Sequence, residues 1–178
     1  MADEAKISAL MLEAVRLRGR EKVVDVEEEK VKLVVFSLSG GCYAFNGSYI
    51  KEILPNTRIF FVPGVPGFIL GVINVRGDIE SVISINRFLG LAEEGEAPQN
   101  GRILIAEKNG LRTGIMVDAI EDVRDFPLSS IKLPISTLDK EKKWVVSGET
   151  MLGGQSVAIL DAGGILEKIA AESGAAAR

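Results

Sequence analysis

Apolar residues recur in two rhythms along this chain. Near the start, Ile7, Leu10, Met11, Ala14 and Val15 fall at helical spacing and form one stripe. Asp3 and Glu4 suit the N-terminal end of such a helix. Arg16, Arg18 and Arg20 suit its C-terminal end through the macrodipole, and Gly19 is a plausible stop. Residues 21–32 are rich in charge, with Glu27, Glu28 and Glu29 in succession, and read as a linker. Two roles stand open for this N-terminal helix: packing or fraying beside its own domain, or docking on a partner. From Lys32 onward the rhythm changes to short apolar runs punctuated by glycine, proline and asparagine, which predicts strands and turns.

The turn residues divide the chain further. Residues 32–38 and 42–45 flank Ser39, Gly40 and Gly41 and predict a hairpin. Ser48 predicts the cap of a helical turn running to Leu54 and ended by Pro55. Residues 58–62 predict a strand, and 63–67 a turn-rich crossing. Residues 72–75 and 79–85 predict strands about a turn at Arg76, Gly77 and Asp78, with one helical turn over 86–89. The polar stretch 92–101 has linker composition and marks the expected internal division. Residues 102–108 and 111–117 flank Asn109-Gly110, the strongest short hairpin signal in the chain. Strands are expected over 119–126, 144–146, 149–152 and 155–160, then a helix over 165–171 and a loose tail over 172–178. Segments 77–89 and 154–166 each run from a glycine hairpin through an apolar strand to a leucine-bearing helical piece. Two small β-barrels packed together explain that pseudo-repeat, so the class is mainly β.

Composition narrows what such a fold can do. The chain has 178 residues and is 47% hydrophobic and 26% charged, which supports a sizeable core. Its net charge of −4 argues against nucleic acid and against anionic membrane. The uncharged run 59–75 contains prolines and glycines that rule out a clean spanning helix. With no secretory signal and one cysteine, Cys42, the expected location is the cytoplasm. Histidine is absent, which removes Ser-His-Asp and Cys-His catalysis and the usual zinc sites. Glu121, Asp122 and Asp125 form an acidic cluster, read as a solvated strand edge rather than a metal site. No cofactor is expected.

The most informative string is GFILGVINVRGDIESVISINRFLGL, residues 67–91. Gly71 allows close approach of a neighbouring strand, Gly77 a positive φ, and Arg76 stands by the turn where a guanidinium needs an acidic or carbonyl partner. Residues 71–77, Gly-Val-Ile-Asn-Val-Arg-Gly, resemble the hallmark of the CheW family of chemotaxis coupling proteins, with Ser81 and Ser84 standing where proline and aspartate are usual. Residues 34–54, 62–71, 114–120 and 157–161 resemble further family segments in consistent order, so the resemblance covers roughly 31–171. It leaves 1–30 as an N-terminal extension. The resemblance implies two five-stranded SH3-like barrels sharing a core and no catalysis. It implies an adaptor that joins the cytoplasmic tips of methyl-accepting chemoreceptors to the regulatory domain of the histidine kinase CheA. The family's functional glutamate and arginine map to Glu52 and Arg76, expected to pair across a groove floored by Val72, Ile73 and Val75. Two alternatives stand beside it: an adaptor of a pilus-motility or other non-flagellar array, and a carboxylate-based hydrolase or ligand-binding barrel with two carboxyl groups in a deep pocket.

Overall fold

A computed structural model describes residues 28–92, 98, 100–134 and 144–176, with side chains to residue 173. The N-terminal helix read over residues 7–20 lies outside the described residues. Among the described residues ten strands run in chain order: β1 (Lys30–Leu38), β2 (Gly41–Asn46), β3 (Ile50–Pro55), β4 (Ile69–Val75), β5 (Asp78–Ile83), β6 (Arg102–Lys108), β7 (Leu111–Val117), β8 (Ala119–Pro127), β9 (Val146–Leu152) and β10 (Gln155–Leu160). The hairpins β1–β2, β4–β5, β6–β7 and β9–β10 all turn on two residues ending in glycine, and both turn residues have positive φ. That geometry matches the natural twist of paired strands.

The strands form two five-stranded sheets, ordered β8-β1-β2-β10-β9 and β3-β6-β7-β5-β4. The two orders are the same if β8, β1, β2, β10 and β9 are matched to β3, β6, β7, β5 and β4. Each sheet contains one parallel pair, β2 with β10 and β5 with β7, at matching places. Each also curls so that its first strand's continuation pairs with its last strand: Lys132 bridges Glu149 beyond β8, and Phe60 bridges Val72 beyond β3. The pseudo-repeat in the sequence is therefore a repeat of barrel topology.

Where the chain passes between barrels differs from the sequence reading. The stretch 92–101 joins β5 to β6 within one sheet, so it divides nothing. The chain leaves the first barrel through the 3₁₀ turn Gly47–Tyr49 and returns through Asp118 alone, between β7 and β8. The second barrel is thus a continuous insert within the first. Asp118 also fastens the crossing: its carboxylate accepts the Ser39 N–H at 2.7 Å and its own N–H donates to the Ser37 carbonyl at 3.0 Å.

Four local expectations change. The helical turn starting at Ser48 is only Gly47–Tyr49, with the Asn46 side chain accepting the Ser48 N–H; the rest is β3, because pairing with β6 outweighs local preference. Residues 58–62 make a single rung, at Phe60, between Pro55 and Pro63. The two pieces read at 144–146 and 149–152 are one strand running Val146–Leu152, with Trp144 and Val145 in the turn before it. The final helix spans Ala162–Ala176, longer than 165–171 and taking in most of the residues read as tail. The Asp161 carboxylate starts it early by accepting the Gly164 N–H at 3.0 Å.

The barrels share one core. In β1, Val34 and Phe36 face it while Leu33 and Val35 fill the first barrel, so four successive residues are buried and the strand reads as an unbroken apolar run. Phe36 and Phe45 meet Phe68, Ile83, Leu104 and Ile115 from the second barrel. The short helix Asn86–Leu89 adds Phe88, whose ring stacks edge-on against Trp144. Ser84 stands just before that helix, and its hydroxyl accepts the Asn86 N–H at 3.3 Å. Ser84→Ala is expected to lower stability by about 0.5–1 kcal/mol and Ser84→Asp to leave it unchanged, as read by urea denaturation.

Candidate docking site on the second barrel

Strands β4 and β5 build the site around their turn. Arg76 and Gly77 adopt φ values of 55° and 102°, and the Asn74 side chain steadies the turn by accepting the Gly77 N–H at 2.9 Å. The left-handed backbone costs a non-glycine residue roughly 1–2 kcal/mol. Arginine sits there all the same, and its guanidinium reaches the Glu52 carboxylate on β3 at 2.5 Å. β3 and β4 are the two ends of their sheet, so this ion pair joins the edges of one barrel. The two residues expected to pair across a groove therefore do so within a single barrel. The Arg76 side chain is 81% exposed and that of Glu52 22% exposed, so the arginine presents its free edge to solvent while the carboxylate backs it.

The expected apolar floor is divided by the pleat. Ile73 and Val75 point into the barrel and pack with Val82, Ile103, Ile105 and Met116; they support the surface without forming it. Val72 and Asn74 point the other way. Opposite Asn74 lies Ile79, 66% exposed, and beside Val72 lies Phe60, 51% exposed, with the Arg58 guanidinium 5.1 Å from its ring centre. The outward surface is thus Phe60, Val72, Asn74 and Ile79, ending at Arg76 and Glu52. Phe60 was hidden in the sequence within an apolar run, and Ile79 stands alone between Asp78 and Glu80. Their exposure depends on register, which only the pairing with β4 sets.

Other candidates resolve into structure. Asp122 pairs with Arg124 at 3.1 Å and Asp125 with Lys32 at 4.0 Å, so these members of the acidic cluster have basic neighbours of their own. Burial, and secondarily the charge of Glu121, push the Cys42 thiol above its usual pKa, which makes it a poor nucleophile. Cavities of about 280 and 180 Å³ hold one carboxylate residue each, Asp161 and Glu149, and the Asp161 carboxylate is engaged as a helix cap. Neither provides the paired carboxyl groups a hydrolase of this kind requires.

The architecture and surface define a class: a double-barrel β module with an exposed apolar face bounded by a buttressed arginine. Similarity to known proteins makes the assignment specific. The CheW-like domain profile matches residues 32–170. The chemotaxis protein CheW of Bacillus subtilis is 30% identical over 142 residues, covering 80% of this chain and 90% of that protein. CheW of Thermotoga maritima is 23% identical over 146 residues, covering 82% and 94%. The crystal structure of the scaffolding protein TtCheW from Thermoanaerobacter tengcongensis matches with a TM-score of 0.66 and 29% identity, over 75% of this chain and 90% of that one. The chain belongs to the CheW family, a family of scaffold proteins, and is a chemotaxis coupling adaptor.

Proposed function

We propose that this adaptor works in the cytoplasm, joining the tips of methyl-accepting chemoreceptors to the regulatory domain of the histidine kinase CheA. The observation that carries this reading is the face of Phe60, Val72, Asn74 and Ile79 ending at the Arg76–Glu52 pair. Apolar side chains of this size give affinity when covered, and an arginine held by a carboxylate gives orientation. A regulatory domain of the same double-barrel type would meet this face edge to edge, leaving the rest of the surface for a receptor helix. The lone, inert Cys42 fits a reducing compartment.

The test is direct binding. The full chain, immobilised, is expected to capture a CheA regulatory domain and a chemoreceptor signalling-tip fragment from the same organism. Capture of neither by the unaltered chain would overturn the reading.

A further inference from the structure

The two barrels repeat one topology but are not filled alike. Leu33 pairs with Asn46 in the first barrel as Ile103 pairs with Met116 in the second. Ser147 is the residue skipped where β9 passes from Val146 to Gly148 opposite β10, and Leu70 is skipped at the matching point of β4. Met116 is buried with Ile103 and Ile105, and Leu70 packs on the same cluster, so side chains plug this end of the second barrel. Asn46 and Ser147 are shorter and polar. Where they stand, the first barrel keeps an open cavity of about 280 Å³, with Val31, Leu33, Leu128 and Ile131 as its apolar wall. That is near the lower end of small-molecule sites, roughly 300–1,000 Å³.

The polar side of this cavity favours one charge. The Ser147 hydroxyl donates to the Ile159 carbonyl at 3.2 Å, which leaves its oxygen to accept. Asp161 supplies the one carboxylate among the lining residues, and none of them is cationic. One Asp161 oxygen accepts the Gly164 N–H at 3.0 Å, and a carboxylate has lone pairs for further donors. Lys108, whose charge Asp161 also meets, is held by Glu167 at 3.1 Å. An ammonium head would therefore be attracted here and a carboxylate head repelled. We propose that the open end of the first barrel binds a small aliphatic primary amine, its alkyl group against Leu33 and Ile131 and its ammonium donating to Asp161 and Ser147. The site is separate from the β4–β5 face and holds whichever partners that face takes.

The experiment titrates the full chain with isoamylamine and follows methyl NMR signals. Isoamyl alcohol and isovalerate, with the same carbon skeleton, are the controls. Saturable shifts are expected at the methyls of Val31, Leu33, Leu128 and Ile131 and not at those of Val72 or Ile79, with a Kd on the order of 1 mM for the amine. The alcohol is expected to bind about tenfold more weakly, and isovalerate more weakly still. Asp161→Asn keeps an oxygen for the helix cap and is expected to bring the amine down to the level of the alcohol. Asn46→Met refills the cavity as Met116 fills its counterpart and is expected to abolish the shifts, with unmoved signals at Ile73 and Ile103 as the check that it folds. Asp161→Asn carries the test should Asn46→Met fail that check. Absence of a saturable shift at the cavity methyls, equal shifts at Val72 and Ile79, binding of isovalerate as tight as that of the amine, or full affinity in Asp161→Asn would each overturn the proposal.

Discussion

Gly71→Ala is expected to lose about 3 kcal/mol or more of stability and to loosen the second barrel selectively. Gly71 is buried with φ at 144°, a conformation that side-chain-bearing residues rarely adopt. A Cβ there would lie 2.3 Å from the Phe60 carbonyl oxygen and 2.8 Å from Ile59 Cγ2. Backbone cannot retreat as a flexible side chain can, and this carbonyl accepts the Val72 N–H at 2.9 Å. Relief therefore requires breaking the Phe60–Val72 rung, which also removes Phe60 from the outward face beside Val72. The irregular register between Ile69 and Gly71 indicates that the strand already bends at this point. Urea denaturation, with amide exchange on β4, checks both parts. A midpoint within 0.3 M of the unaltered chain, an order-of-magnitude margin for a typical urea slope, would contradict this account.

Arg76→Asn is expected to separate binding from folding. Asparagine accepts the left-handed backbone that arginine adopts at a cost, and it creates the Asn-Gly turn most favoured in tight hairpins. The ion pair lost with Glu52 is largely exposed on the arginine side and is worth ~0–1 kcal/mol. Stability should therefore hold or rise slightly. Affinity for the kinase regulatory domain or the receptor tip should fall by roughly 10–100-fold, the effect of removing a well-placed interface arginine. Glu52→Gln tests the buttress: it keeps the shape, removes the charge and should cost less. Titration calorimetry alongside thermal melts gives both readouts. Unaltered affinity in Arg76→Asn would remove this residue from the interface.

Much of the fold was legible because its punctuation is chemical. Asn109-Gly110 and Gly153-Gly154 mark hairpins by residue type, and the strands on either side agree closely with the structure. Arg76 was legible as a candidate through its place in the hallmark string, and its need for an acidic partner is met by Glu52. What escaped was non-local. β3 looks helical from its neighbours, and becomes a strand only because β6, some fifty residues on (Leu54 opposite Ile103), pairs with it. The polar composition of 92–101 is that of any exposed loop, and gives no sign that β5 and β6 share a sheet. Val72, Ile73 and Val75 are equally apolar, so composition could not separate the outward valine from its two buried neighbours. The pleat does.

The chain's passage from one barrel to the other and back dictates an order of assembly on the ribosome. The second barrel, β3 to β7, is continuous and emerges whole. The first barrel cannot close at that stage, because β2 must wait for β10, with Tyr43 paired to Ala158. Nascent β1 and β2 therefore leave the first-barrel face of Leu33, Val35 and Ala44 bare until the last strand, β10, has been made. The already folded second barrel covers only their opposite face, Val34, Phe36 and Phe45, through the shared core. Translation pauses placed after Asp118 should thus be tolerated better than pauses placed before β6.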